Sequence, residues 1–274
     1  MDDEPAKKKV KKSLRIKKFN AKAIEPGSVI LMVGKRKTGK SSLVTDIMAN
    51  LSSKFSYGIA FCPTEDSSRN LQKFMPRTCI FSDYREDKVE SPMALQRKYW
   101  ARPQGGRDVF ILMDDVTFDK GIWRSRTMRE LAMNGRHRHV TLLICCQFLF
   151  DLPPDIRSQI DIVFALRENV HSNKEKLFKN FWGFFDNYGQ FSETMDSLTR
   201  DYGAIVYDAS QSSSTKVEEN CFWYKAKVDH DFRVIDDAIW DIDEKVYVDP
   251  ISDERESQVQ PAVLKLTKDG RVVR

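Results

Sequence analysis

The chain has 274 residues, with 45 lysines and arginines against 40 aspartates and glutamates, so its formal net charge is +5. The excess lies at the start: residues 1–24 carry nine basic and three acidic side chains, while the rest of the chain is close to neutral. This distribution excludes a uniformly basic binding domain. A hydrophobic content of 41% excludes global disorder. Five cysteines without CxxC spacing predict reduced intracellular thiols and exclude a disulfide framework.

We expect neither a membrane-inserted segment nor a secretory signal. The longest apolar run, Val140–Phe150, is about half the ~20 residues that a membrane span needs, and it contains Gln147. The charged N-terminal stretch is not followed by an apolar one, as a secretory signal would be. We therefore expect three parts: a flexible basic arm at 1–24, one domain at 25–248, and a polar tail at 249–274.

Apolar runs alternate with helical patterns along the central part of the chain. Strands are predicted at Ser28–Val33, Tyr57–Cys62, Thr78–Phe81, Val109–Met113, Val140–Cys146, Ile162–Leu166, Ala204–Tyr207 and Cys221–Lys227. Helices are predicted at Gly39–Leu51, Ser91–Ala101, Ser125–Asn134, Pro153–Ile160, Asn173–Phe185 and Gln190–Arg200. Because strands that are apolar throughout are buried on both faces, the predicted fold class is α/β, with a mostly parallel sheet covered by helices on both faces.

Residues 34–41 read Gly-Lys-Arg-Lys-Thr-Gly-Lys-Ser, which fits the phosphate-binding pattern GxxxxGK[ST] between a strand and a helix. Glycines let the backbone N–H groups point inward, and the helix N-terminus adds the positive end of its dipole. We expect Lys40 to reach the β- and γ-phosphates and Ser41 to offer its hydroxyl to Mg²⁺. The residues predicted to contact the nucleotide are Gly34, Lys35, Thr38, Gly39, Lys40, Ser41 and Ser42.

Two acids, Asp114 and Asp115, follow the apolar strand Val109–Met113. A carboxylate at such a strand end lies near the Mg²⁺ of nucleotide-hydrolysing sites. We assign Asp114 to the metal and Asp115 to polarising the attacking water, since adjacent strand residues point to opposite faces. The second acid favours an enzyme that hydrolyses the nucleotide over a protein that only binds it or switches with it. The nearest string to the guanine motif NKxD, at 173–176, lacks the aspartate, which excludes a GTPase.

Gln147 ends the strand that follows the acid pair and could contact the γ-phosphate or the attacking water. An ordinary polar residue at a strand end is the alternative. Arg136, just ahead of the same strand, is a candidate for an arginine that acts on a neighbouring subunit, with Arg157 and Arg167 as rivals. Such an arginine can raise turnover by roughly 10³–10⁵-fold.

Taken in order, these motifs resemble the poxvirus-type DNA-packaging ATPases of large eukaryotic DNA viruses, a branch of the FtsK/HerA superfamily of P-loop ATPases. The resemblance spans about residues 24–228. It includes Gly-Arg-His at 135–137 and Leu-Pro-Pro-Asp-Ile-Arg at 152–157. It continues through Asp-Ile-Val-Phe at 161–164, Phe-Lys-Asn-Phe-Trp at 178–182, Met-Asp-Ser-Leu-Thr at 195–199, Ala-Ile-Val-Tyr-Asp at 204–208 and Phe-Trp-Tyr-Lys-Ala at 222–226.

The resemblance implies a RecA-like core of the ASCE type, with the strand Val140–Cys146 between the phosphate-loop strand and the acid strand. It also implies an Mg²⁺-dependent ATPase that forms a ring homo-oligomer, a pentamer or hexamer, and pumps double-stranded DNA into a capsid. Capsid or inner-membrane assembly proteins would be further partners. The implied location is a viral assembly site in the cytoplasm or nucleus of the infected cell, with association with the virion. The site residues carried over are Lys40, Ser41, Asp114, Asp115, Gln147 and Arg136.

One departure and two alternatives stay open. Most hydrolysing relatives in the superfamily have glutamate where Asp115 stands, so the identity of the water-activating base is open. A nucleoside or nucleotide kinase could use the same loop, although the sequence lacks an arginine-rich lid segment. A non-catalytic DNA-binding or scaffold protein, in which the arm binds, is the other alternative. The arm itself could tether DNA, direct nuclear import, or dock on an acidic capsid or membrane surface.

Overall fold

A nine-stranded sheet forms the centre of the molecule, seen in a computed structural model that describes residues 14–102, 106–116, 119, 121–210, 214–247, 265–266 and 272–273. The strands are β1 Lys17–Lys18, β2 Val29–Val33, β3 Phe55–Phe61, β4 Ile80–Phe81, β5 Asp108–Asp114, β6 Val140–Cys146, β7 Ile162–Ala165, β8 Gly203–Asp208 and β9 Cys221–Lys225. The helices are α1 Lys40–Leu51, α2 Glu65–Leu71, α3 Glu86–Trp100, α4 Arg126–Asn134, α5 Pro154–Arg157, α6 His171–Phe181, α7 Tyr188–Leu198, α8 Val217–Asn220 and α9 Asp237–Val246.

The strand order is β1-β9-β8-β7-β2-β6-β5-β3-β4. The six strands from β7 to β4 run parallel, whereas β8 is antiparallel to both β7 and β9. Strand β6 lies between β2 and β5, which confirms the extra strand that the resemblance implied. The carboxyl ends of β2, β5 and β6 therefore meet at one edge of the sheet, and this edge positions the site.

Helices cover both faces of the sheet, which confirms the predicted fold class. Alternate residues of β2 enter different apolar layers: Ile30 packs in the layer that contains α1, and Leu31 packs in the layer that contains α4, α6 and α7. Helix α1 buries Leu43, Val44 and Ile47 at the spacing of one helical face. The aromatic residues of 178–191 also pack: Trp182 is fully buried and stacks on Phe191.

The folded domain begins before residue 25, the start that was predicted from the sequence. Strand β1 pairs with β9, and Phe19 and Ile24 are buried. The ring of Phe19 meets Phe164 edge-on, at 5.4 Å between centroids. Residues 14–24 thus belong to the folded domain. The lysine-rich residues 7–12 lie outside the described residues.

The C-terminal tail expected at 249–274 lies mostly outside the described residues. Its described parts are two short antiparallel strands, β10 Lys265–Leu266 and β11 Val272–Val273. No helix in the described part of the chain combines the length and apolar composition of a membrane span.

Candidate active site at the carboxyl edge of the sheet

The loop between β2 and α1 has the geometry that its glycines predict. The N–H of Gly34 donates to the carbonyl of Cys146 at 3.1 Å, which joins the loop to β6. A Cβ at Gly34 would lie 2.7 Å from Cδ1 of Leu166, so the Leu166 side chain would have to shift to admit one. Gly39 has a φ of +98°, a conformation that L-residues rarely adopt, and α1 begins at the next residue. The loop therefore directs the first turn of α1 towards a cleft.

Lys40 forms an ion pair with Asp115, and both side chains are largely buried. The Nε2 of Gln147 donates to the other carboxylate oxygen of Asp115 at 3.3 Å. Asp115 has a φ of +54°, and its N–H donates to the carbonyl of Cys145 at 3.0 Å. This left-handed backbone costs about 1–3 kcal/mol in a non-glycine residue, and such strain clusters at functional sites. The structure thus brings together Lys40, Asp115 and Gln147, three side chains singled out from sequence.

The pKa of Lys40 is raised above its ordinary value, even though burial alone would lower it. The hydrogen bond to Asp115 and the negative charges of Asp115 and Asp114 outweigh the desolvation. Lys40 is therefore a protonated cation at neutral pH.

Asp114 lies at the end of β5 and is buried. Burial raises the pKa of its carboxyl, and the charge of Asp115 adds to this effect, while Lys40 and the donors Ser67 and Cys62 oppose it. The Sγ of Cys62 lies 3.8 Å from Oδ2 of Asp114. A nearby cation favours the charged form of such a buried carboxylate.

The residues present fit Mg²⁺ held jointly with phosphate oxygens. Mg²⁺ takes oxygen ligands and is usually bound through one or two protein groups plus substrate phosphates. Ser41 in the first turn of α1 and the carboxylate of Asp114 are oxygen donors of this kind. Within the described part of the chain, no group of three or more His, Cys, Asp or Glu side chains could hold a metal alone.

A cleft of about 1070 Å³ opens beside the loop. Its lining includes Lys40, Ser41, Ser42 and Asp115, and it extends past Tyr202. The volume suits a ligand of nucleotide size. Ser42, predicted as a nucleotide contact, therefore lies where it can make one.

Two other loop residues predicted to contact the nucleotide use their side chains elsewhere. The Nζ of Lys35 lies 2.7 Å from Oε1 of Glu168. Burial opposes the charge of Glu168, yet hydrogen bonds from Lys35, the N–H of Val170 and Asn173 lower the pKa of Glu168 below its ordinary value. The hydroxyl of Thr38 donates to the carbonyl of Lys35 at 2.7 Å. These contacts brace the loop.

The three candidate arginines lie in different places. Arg136 sits in a short turn before β6, at the amino edge of the sheet, where it forms an ion pair with Asp161. It is thus roughly 20 Å, the length of β6, from Gln147. Arg157 donates to Asn180 at 3.0 Å. Arg167 follows β7 on the same edge as the phosphate loop and lines a small cavity with Gly34 and Gln147.

Sequence reasoning missed three residues of the site: Cys62, Ser67 and Glu168. Ser67 lies on α2, a helix that was not predicted because only Leu71 of it is buried. The start of this helix could have been predicted, since Thr64 followed by Glu65 and Asp66 is typical of a helix start. The contact of Glu168 could not, because its partner Lys35 lies 133 residues away in the sequence.

The chain is similar to proteins of large DNA viruses. It is 30% identical over 203 residues to protein 088R of Invertebrate iridescent virus 3, which covers 73% of this chain and 76% of that protein. It is 29% identical over 221 residues to protein 075L of Invertebrate iridescent virus 6, covering 77% and 85% of the two chains. No protein-family model matches the chain.

The fold is similar to that of B204, the DNA-packaging ATPase from Sulfolobus turreted icosahedral virus. The TM-score is 0.55 with 15% sequence identity, over 76% of this chain and all of that one. The structure of B204 from Sulfolobus turreted icosahedral virus 2 in complex with AMPPCP gives a TM-score of 0.53. The sequence identity is 16%, over 74% of this chain and all of that one. The chain therefore belongs to the family of large-DNA-virus proteins that includes protein 088R, and it shares the fold of B204.

Proposed function

We propose that the chain is an Mg²⁺-dependent ATPase that assembles as a ring and moves viral double-stranded DNA into a capsid. The observation that carries the hydrolytic part is the contact of Lys40 and Gln147 with Asp115, directly beside the buried carboxylate of Asp114. B204 of Sulfolobus turreted icosahedral virus, whose fold is similar, is a DNA-packaging ATPase, and B204 of Sulfolobus turreted icosahedral virus 2 is a genome packaging NTPase seen in complex with AMPPCP. Their functions and the bound nucleotide support the proposal for this chain.

The geometry supports a division of labour among these side chains. Ser41 and Asp114 would hold Mg²⁺. When bound there, the ion would neutralise phosphate charge and polarise a phosphoryl oxygen. Lys40 would bind the β- and γ-phosphate oxygens. Because Lys40 pairs with Asp115, phosphate oxygens compete for the same ammonium group. Asp115 is then available to accept a proton from the attacking water, which the amide of Gln147 helps to orient.

An arginine supplied by a neighbouring subunit would complete the site in a ring. Arg136 is the candidate, because it is exposed and lies on the sheet edge opposite its own phosphate loop. Arg157 and Arg167 are the rivals, and Arg167 lies closest in the fold to its own loop. Mixing Arg136→Ala with Asp115→Asn protomers should restore part of the turnover. No recovery at any ratio would rule out action of Arg136 on the neighbour's site.

DNA, capsid and inner-membrane assembly proteins are proposed partners of the ring, and a viral assembly site inside the infected cell is its proposed location. The relatives from iridescent viruses support a role in such a virus. DNA tethering is the use that follows most directly from the charge of the arm.

The ATPase proposal can be separated from the kinase alternative by its products. An ATPase converts ATP to ADP and inorganic phosphate in water, and chelating Mg²⁺ stops it. A kinase releases ADP in proportion to an added nucleoside or nucleotide acceptor. Acceptor-dependent ADP release without free phosphate would overturn the proposed function, and absence of any turnover by the assembled wild-type chain would favour the scaffold alternative.

A further inference from the structure

Two consecutive residues between α7 and β8 have left-handed backbones. Asp201 has a φ of +49° and Tyr202 a φ of +63°. Neither is a glycine, and a left-handed aromatic residue is a rare and costly conformation. Such strain persists only where the surrounding structure imposes it, and it is common at ligand-binding segments. The left-handed backbone at 201–202 is therefore typical of a segment that contacts a ligand.

The side chain of Tyr202 gains little from packing. It is 69% exposed. Its Cβ and ring nevertheless lie against the phosphate loop: a Cβ built on Gly39 would be 3.2 Å from Cδ1 of Tyr202. The strained turn thus holds an exposed aromatic ring next to the residue that precedes Lys40.

The ring faces the cleft that contains the catalytic side chains. Ala226 and Val228, from the segment after β9, also line this cleft, and Val228 is 73% exposed. The cleft therefore has a polar part at Lys40 and Ser41. Its other part holds the apolar surfaces of Tyr202, Ala226 and Val228, with Asp201 and Lys225 also in the lining. A nucleotide has the same division, with charged phosphates at one end and an aromatic base at the other.

We infer that Tyr202 is a stacking platform for the base of the bound nucleotide. With the phosphates at the N-terminus of α1, the base must lie within the reach of one ribose, in the part of the cleft beside Gly39. Tyr202 contributes one aromatic wall there, and Ala226 and Val228 contribute apolar contacts. This inference rests on the proposed function, because the base is that of ATP.

The experiment compares ATP with tripolyphosphate, which carries the same phosphate chain without ribose or base. Tyr202→Ala should bind ATP roughly tenfold more weakly, because stacking of a base on an aromatic side chain is worth about that much. Tyr202→Phe should keep the affinity within about twofold, since the ring is retained. Tripolyphosphate should bind all variants equally. Tyr99→Ala, which removes a partly exposed tyrosine of α3, is the matched control and should behave as wild type.

Three outcomes would overturn the inference. Equal ATP affinity of wild type and Tyr202→Ala would show that the ring does not stack on the base. An equal loss of affinity for ATP and tripolyphosphate would show that Tyr202 supports the phosphate loop instead. A change in oligomeric state with unchanged ATP affinity would assign the ring to a subunit contact. Failure of wild type to bind ATP at all would overturn the proposed function itself, so the two failures are distinguishable.

Discussion

Replacement of Asp115 by asparagine is expected to lower ATP turnover by roughly 10²–10⁴-fold, the usual contribution of a general base. Asparagine has nearly the same size, and its side-chain oxygen can still accept a hydrogen bond from Gln147, but it cannot take a proton from water. ATP binding should therefore persist in Asp115→Asn. Steady-state phosphate release and equilibrium ATP binding, measured on the same preparation, separate the two effects.

The control for this experiment is Asp186→Asn, which removes an exposed carboxylate in the segment between α6 and α7. It should turn over ATP like the wild type. If Asp115→Asn kept turnover within about threefold of wild type, Asp115 would not be the base.

Replacement of Lys40 by alanine should abolish measurable turnover and weaken ATP binding by at least about thirtyfold. Loss of one partner of a close, largely desolvated charge pair costs roughly 2–5 kcal/mol, and the lower value corresponds to this factor. The variant also leaves Asp114 and Asp115 side by side without their cation, which adds like-charge repulsion. Phosphate release and ATP titration measure the two effects.

Lys98→Ala, which removes an exposed lysine of α3, is the matched control and should change neither quantity. Circular dichroism of Lys40→Ala checks that the sheet and helices are retained. Turnover by a folded Lys40→Ala chain at the wild-type rate would contradict the assigned chemistry of the phosphate loop.

Much of the fold follows from local patterns in the sequence. The central strands β2, β5 and β6 are apolar at almost every position, and apolar runs of five to seven residues favour buried strands over helices. The phosphate loop and the acid pair were located because each requires particular residue types at one point of the chain. Their mutual contact follows from topology: β2 and β5 both run parallel to β6, which lies between them, so all three strands end at the same sheet edge.

Other features depend on contacts between distant segments and leave weak local signals. Residues 14–24 read as a charged arm, yet Phe19 fills a space between Phe164 and Phe222. Helix α9 has only Asp243 buried, and that carboxylate is bound by Arg77 and the N–H of Thr78, more than 160 residues upstream. The left-handed turn at 201–202 also leaves no local signal in the sequence, since neither Asp201 nor Tyr202 is a residue type that requires a positive φ.

The central claim is that ATP hydrolysis at this site moves double-stranded DNA. The most direct test places the assembled full-length chain on a duplex that carries a bound third strand and follows displacement of that strand. We predict displacement by the wild type with ATP and Mg²⁺, together with faster ATP turnover when the duplex is present, and no displacement by Asp115→Asn. Steady ATP hydrolysis by assembled rings that displaces no third strand and does not respond to duplex DNA would contradict the claim.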